Sequence, residues 1–401
     1  MKSVAHMEII GVPIDVPSLS TLKSNWSEMQ DSLILKIDED YRVFDGKVFK
    51  IDRWRQYVLS DGIPWPRLKN GRLCRKEKTF KEMAKIYPEV YPIWQLLRIL
   101  SKMHQWDLAV GGDGRNRHPI SPFSSSTGRN QPSKENRQSS ANHIFSLPSW
   151  VRGLIKPTIG KGLAYIDWSQ QEFGIAAALS RDELMMKAYH SGDSYIAFAI
   201  QAKSVPPDAT KESHRIERGR FKICSLGVQY GMGSKTMALG ARCLEYEAKR
   251  LIELHKQTYK RFWQWSDGVV NCAGILLKLW TVFGWEIKYP NDFSKTSAMN
   301  FPMQGNGADI LRIACCLGTE RGIKICAPIH DAILIEFDLE NEESDIATMQ
   351  EAMREASSIV LNGFELRTEV KIIRYPDRYM DERGQEMWDT VWDIIDKLPK
   401  E

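Results

Sequence analysis

Apolar positions recur at intervals of three and four near the start of the chain. Leu19, Leu22, Trp26, Met29, Leu33 and Ile37 follow Asp15 and Pro17, two helix-start signals, and predict a helix over about 15–40. Ile93, Leu97, Leu100 and Met103 predict a second helix near 92–106. The pattern then fails. Residues 110–148 are poor in apolar side chains and rich in Ser, Asn, Gly and Pro. By composition that stretch reads as a linker. Arg115, Arg117, Arg129 and Arg137 also suit an ordered loop system along a polyanion. LAYIDWS follows as a short strand ending in polar residues, and it runs into a helix, QEFGIAAALSRDELMMKAY. Residues from about 211 to 280 read as mostly helical. GIKICAPIHDAILIEF reads as two apolar strands hinged at His330–Asp331. An amphipathic helix with Ile346, Met349, Met353 and Val360 and an alternating strand, LRTEVKII, close the pattern.

Composition narrows the class. A chain of 401 residues with 43% hydrophobic content supports two or three domain-sized units, since single cores rarely exceed roughly 250–300 residues. With 55 basic and 51 acidic residues the net charge is only +4, which neither requires nor excludes nucleic acid. Seven cysteines without a CxxC argue against a disulfide framework or a zinc site. No apolar run reaches about 18 residues. The expectation is a soluble, cytoplasmic chain with no membrane partner.

Two acids stand out. Asp167 ends a buried-looking strand and Asp331 lies between two apolar strands. Each alone suits a cap or a turn. Two strand-end carboxylates on one sheet would suit Mg²⁺, which takes one or two carboxylates while substrate phosphates complete its shell. On the helix expected at 215–231, Arg218, Lys222, Leu226 and Tyr230 are spaced by four. Each such step turns a helix by about 40°, so they share a broad face. That face suits a nucleoside triphosphate, phosphates on the cations and base toward the ring. A solvated cationic face beside a core tyrosine is the plainer alternative.

These residues resemble the motifs of family A DNA polymerases, the group of bacterial DNA polymerase I. Asp167-Trp168-Ser169-Gln170-Gln171-Glu172-Phe173 is similar to the family's DYSQIEL. Arg218-x3-Lys222-x7-Tyr230-Gly231 resembles its nucleotide-binding helix and His330-Asp331 its third catalytic motif. Asn300-Phe301-Pro302-Met303-Gln304-Gly305 matches N-x-P-x-Q-G, Thr127-Gly128-Arg129 matches T-G-R, and Gly11-Val12-Pro13-Ile14-Asp15 resembles the start of the thumb.

The resemblance implies an α+β, right-hand fold with an antiparallel palm sheet and mostly helical fingers and thumb. Its expected divisions are an amino-terminal palm-associated segment at 1–19, a thumb at 20–106, palm at 107–175 and 290–401, and fingers at 176–289. The stretch 110–148 becomes an ordered palm segment. Asp167, Asp331 and the Trp168 carbonyl would hold two Mg²⁺ ions, with Mn²⁺ able to substitute. Arg218, Lys222, Gln170, Glu172, Leu226, Tyr230 and Tyr195 would bind the incoming deoxynucleotide. Lys222 would also protonate the leaving pyrophosphate, and Glu172 would fill the space of a ribose 2′-OH. Arg129, Asn300, Gln304 and His330 would touch the primer–template. The implied protein is a monomeric DNA polymerase without 3′–5′ proofreading, because the thumb-like segment begins within about ten residues of Met1. A single-subunit RNA polymerase-like enzyme and a degenerate fold that only binds primer–template remain as alternatives.

Four positions depart from the family pattern. Ala332 replaces the glutamate that usually follows His-Asp, which predicts weaker metal affinity or slower turnover. Leu226 replaces Phe or Tyr, which predicts poor use of dideoxynucleotides. Tyr195 stands where a phosphate-contacting histidine is usual. Thr296 stands where an arginine often contacts the template.

Overall fold

A computed structural model describes residues 2–103, 108–132 and 143–398. The chain forms two compact units, one of 1–10, 120–131 and 162–372 and the other of 11–119, 132–161 and 373–401. Arg137 lies outside the described residues.

In the first unit the element that positions the site is a four-stranded sheet. Its strand order is Lys324–Ile329, Ala332–Asp338, Lys161–Trp168, Thr368–Arg374. The first two strands form the expected antiparallel hairpin, with Ile329 opposite Ala332 and Pro328 opposite Ile333. The turn between them is only His330–Asp331. His330 takes φ +52 there, a backbone region uncommon for residues other than glycine and one that tight hairpin turns require. Ile333, Leu334, Ile335 and Phe337 are fully buried, and neighbouring Ile325 is too. Strand-to-turn order therefore carries Asp331 to the rim of an apolar sheet.

Two long helices supply much of the core. Lys295–Glu320 packs against Glu342–Val360, burying Ile310, Leu311 and Ala314 in the same core as Met349, Ala352, Met353 and Ala356. Helix Lys2–Ile10 joins this unit, with the Ser3 hydroxyl donating to the Cys315 carbonyl at 3.0 Å. The helix expected after Asp167 breaks in two, Gln171–Ser180 and Glu183–His190. Arg181 ends the first in a left-handed conformation. The Asp182 carboxylate then caps the second, accepting from Leu184 N and Met185 N at 3.1 Å. The region from 211 to 280 is helical as expected: Arg215–Gln229, Ser234–Ala241, Glu245–Thr258 and Lys260–Leu276.

The second unit is built around helices Val16–Ser24, Trp26–Asp38, Ile51–Ser60, Glu77–Ile86, Tyr91–Met103 and Gln385–Lys397. The single helix expected over 15–40 is interrupted at Asn25. Its side-chain amide donates to the Thr21 carbonyl at 2.9 Å, a local bond that closes the first helix while the apolar spacing runs on. Trp54, Trp65 and Phe80 form an aromatic core, with ring centroids 4.7–5.4 Å apart. Asp381 there holds both Arg152 and Arg383. Among the described residues, no helix is long and apolar enough to cross a membrane.

Candidate active site

The sheet brings the two aspartates together. Trp168 N donates to the Asp331 carbonyl at 3.1 Å, which fixes the strand carrying Asp167 beside the hairpin turn. Both acids are half-buried. Burial, with the charges of Asp331 and Glu369, pushes the Asp167 carboxyl up to about 7. Burial also raises Asp331, against a backbone hydrogen bond and the positive fields of His330 and Arg129. Asp167 Oδ1 is buried and has no hydrogen-bond partner among the described residues. A buried, orphaned carboxylate oxygen beside a second carboxylate is costly unless a cation or a proton joins it.

The donor set fits a hard divalent ion. Two carboxylates and a backbone carbonyl leave room for phosphate oxygens. Among the described residues no group of three or more His, Cys, Asp or Glu converges as a ready-made metal cage. Ala332 is fully buried opposite Ile329 and brings no carboxylate. Besides Asp331, a second acid acts on Asp167 from another strand. Glu369, on Thr368–Arg374, accepts from the Ser169 hydroxyl at 2.8 Å. No sequence motif marks Glu369, and strand order reveals its place.

The cations occupy helix Arg215–Gln229. Tyr230 lies just past its end as the cap, a small correction to the helix expected at 215–231. Arg218 Nε donates to Asp193 Oδ2 at 2.5 Å. The other Asp193 oxygen caps helix Ser194–Gln201, accepting from Tyr195 N and Ile196 N. Asp193 therefore ties the cationic helix to the next one. The Tyr195 ring is 6% exposed and lies under both cations, 5.5 Å from Arg218 Cζ and 5.9 Å from Lys222 Nζ. Burial pushes its phenol up to about 12, so it stays neutral. Lys222 is exposed and Leu226 half-buried one turn on. Gln170 takes φ +54. Its amide nitrogen donates to the Gly192 carbonyl at 3.3 Å, and its oxygen accepts from Ser194.

Glu172 lies between Tyr230 and Arg129. Tyr230 donates its hydroxyl to Glu172, and Arg129 stands 3.8 Å away on the other side. Gln304, half-buried on helix Lys295–Glu320, lies near Tyr230. Asn300 Oδ1 is buried without a hydrogen-bond partner among the described residues, while His330 is exposed at the turn. Thr296 packs against Gly231, whose φ of +65 and close approach to the threonine methyl leave no room for a side chain. Position 296 thus supports the turn after Tyr230. Arg117 pairs with Asp113 at 2.5 Å, holding that carboxyl down to about 2.

An α+β chain with paired carboxylates at the rim of its sheet and a cation-bearing helix beside them has the build of a nucleic-acid polymerase fold. The fold itself is similar to a solved structure, "POL domain of Pol1 from M. smegmatis complex with DNA primer-template and dNTP". The TM-score is 0.72 at 22% identity, over 93% of this chain and 68% of that one. A model of DNA polymerase family A matches residues 110–374, and the chain belongs to that family. It is 25% identical over 380 residues to the thermostable DNA polymerase I of Thermus caldophilus, covering 88% of this chain and 45% of the relative. Against DNA polymerase I of Aquifex aeolicus it is 27% identical over 392 residues, covering 92% and 64%. The chain thus spans about half the length of the Thermus relative and under two thirds of the Aquifex one.

Proposed function

We propose that this chain is a template-directed DNA polymerase that extends a primer 3′ end with deoxynucleotides by two-metal phosphoryl transfer. The observation that carries the reading is the orphaned Asp167 oxygen beside Asp331, two carboxyls raised by burial. Asp167, Asp331 and the Trp168 carbonyl would hold two Mg²⁺ ions, or Mn²⁺ in their place. When bound, these supply charge neutralisation for the attacking and leaving oxygens.

The chain's own residues do the rest. Arg218 and Lys222 draw the triphosphate along the helix face. Lys222, exposed and close to its path, donates a proton to the leaving pyrophosphate. Glu172, held by Tyr230 and Arg129, fills the place of a ribose 2′-OH and selects deoxynucleotides. Tyr230 stacks near the templating base, and Leu226 gives the sugar an apolar neighbour. Gln170 and Tyr195 brace the segment 192–195 behind the phosphates. Arg129, Asn300, Gln304 and His330 contact primer–template, which binds more weakly as salt rises. In this reading 20–106 serves as thumb, 107–175 and 290–401 as palm and 176–289 as fingers, and the protein works as a monomer.

Primer extension on a defined template tests the proposal. Deoxynucleotides with Mg²⁺ should be incorporated, ribonucleotides poorly, and Asp331→Asn should bind DNA without extending it. Preference for ribonucleotides would instead favour an RNA polymerase. DNA binding by the wild type without extension would favour a fold that only binds.

A further inference from the structure

The loop that carries Arg129 rests on side chains the proposed function leaves unused. Phe123 takes φ +58, a region in which a bulky side chain is strained. Its ring is 47% exposed, so burial does not hold it there. Two contacts do. Trp285 stacks on it with ring centroids 5.4 Å apart and planes 21° from parallel. Arg312, on helix Lys295–Glu320, lies over the same ring with Cζ 4.1 Å from its centroid.

The same two residues continue along the loop. The Trp285 indole N–H donates to the Ser126 carbonyl at 3.1 Å. Arg312 donates to the Gly128 carbonyl and is itself held by the buried Asp309. Gly128 lies so close to the indole that a Cβ there would stand 3.2 Å from its ring, and its φ is +73. The loop also closes on itself, Gly128 N donating to Ser125 O at 2.9 Å and Arg129 N to Ser125 Oγ at 2.8 Å. What leaves this surface is the Arg129 side chain, 3.8 Å from Glu172. Strain at Phe123 therefore persists because surrounding groups over-determine the loop, and the residue so placed is a cation beside the sugar gate.

We propose that Trp285 and Arg312 form a platform that sets Arg129 against Glu172, and that they govern use of the primer end through Arg129. They are positioning residues, and this step rests on the proposed function. Neither belongs to the motifs that mark the family in this sequence. A misplaced arginine near reacting groups costs rate out of proportion to the distance moved.

The test is a double-mutant cycle on primer extension, read beside amide exchange of Ser125–Arg129. Trp285→Ala should lower kcat/KM for primer–template on the order of 10–100-fold. In an Arg129→Ala background it should add nothing. Trp285→Phe, which keeps an aromatic ring for Phe123 but loses the bond to Ser126 and part of the contact with Gly128, should fall between and guards against loss of folding. The 125–129 amides should exchange about tenfold faster or more in Trp285→Ala, yet unchanged in Arg129→Ala. Independent, multiplying effects of the two substitutions, or exchange unaltered by Trp285→Ala, would overturn the platform. An inactive wild type would overturn the polymerase reading instead, and the exchange experiment would still decide whether the platform holds the loop.

Discussion

On helix Arg215–Gln229 Arg218 and Lys222 already have protein partners, whereas at the rim of the sheet one oxygen of Asp167 has none among the described residues. Arg218 is held by Asp193, and both Arg218 and Lys222 lie over the neutral Tyr195 ring. The Asp167 carboxyl, with that buried oxygen, is pushed up to about 7 by burial and by its acidic neighbours. Exposed or half-exposed cations can be oriented in advance at little cost, because water and a carboxylate satisfy them. Two half-buried carboxylates cannot satisfy each other. Under the proposed function the contrast fits two tasks: the helix would orient the triphosphate, and the sheet rim would bind cations.

The largest effect expected from breaking this contrast is on the carboxylate side. Asp331→Asn should reduce primer extension by at least about a thousandfold, the scale of losing a principal electrostatic group, while DNA affinity stays within about twofold. Measured by single-turnover extension, a tenfold loss or less would show that the pair is not the centre of the chemistry. On the cationic side the loss should be smaller. Lys222→Ala and Arg218→Ala should each lower kcat/KM for the nucleotide by about 10–100-fold, and Arg218→Ala mainly through KM. Steady-state kinetics with a single nucleotide would separate the two sides.

The smallest effect concerns stability and has the opposite sign. Asp167 rises from its ordinary 3.8 to about 7 on folding. Its contribution to the metal-free fold is therefore full below pH 3.8 and is lost as pH rises through 7. Asp167→Asn should then stabilise the metal-free protein at pH 8 by about 1 kcal/mol, after allowing for solvent screening of a half-buried group. At pH 3.5 it should give no gain. Thermal melting in chelator at the two pH values would check this, and destabilisation at pH 8 would count against an unsatisfied carboxylate.

Much of the site was legible because its signals are local. The hairpin at His330–Asp331, the strand ending in Asp167 and the four-residue spacing of Arg218, Lys222 and Leu226 all follow from neighbouring residues. Helix ends were less legible. The breaks at Asn25 and Arg181–Asp182 depend on single side chains that interrupt an otherwise continuous apolar pattern. Glu369, Asp193, Trp285 and Arg312 were not legible at all. Ser169 reaches Glu369 across 200 positions, and Arg312 reaches Gly128 across 184, so only the folded chain makes them neighbours. The departures at Thr296 and Ala332 also gained meaning only in place, one supporting the Gly231 turn and the other packed opposite Ile329.

Binding of Mn²⁺ as a function of pH, followed by electron paramagnetic resonance in the presence of primer–template and nucleotide, tests the central claim most directly. With Asp167 near 7, affinity should climb about tenfold per pH unit below 7 and level off above it, since one proton is displaced. Asp331→Asn should remove tight binding at every pH. Undiminished binding in that variant, or an affinity that ignores pH between 5 and 8, would contradict the account.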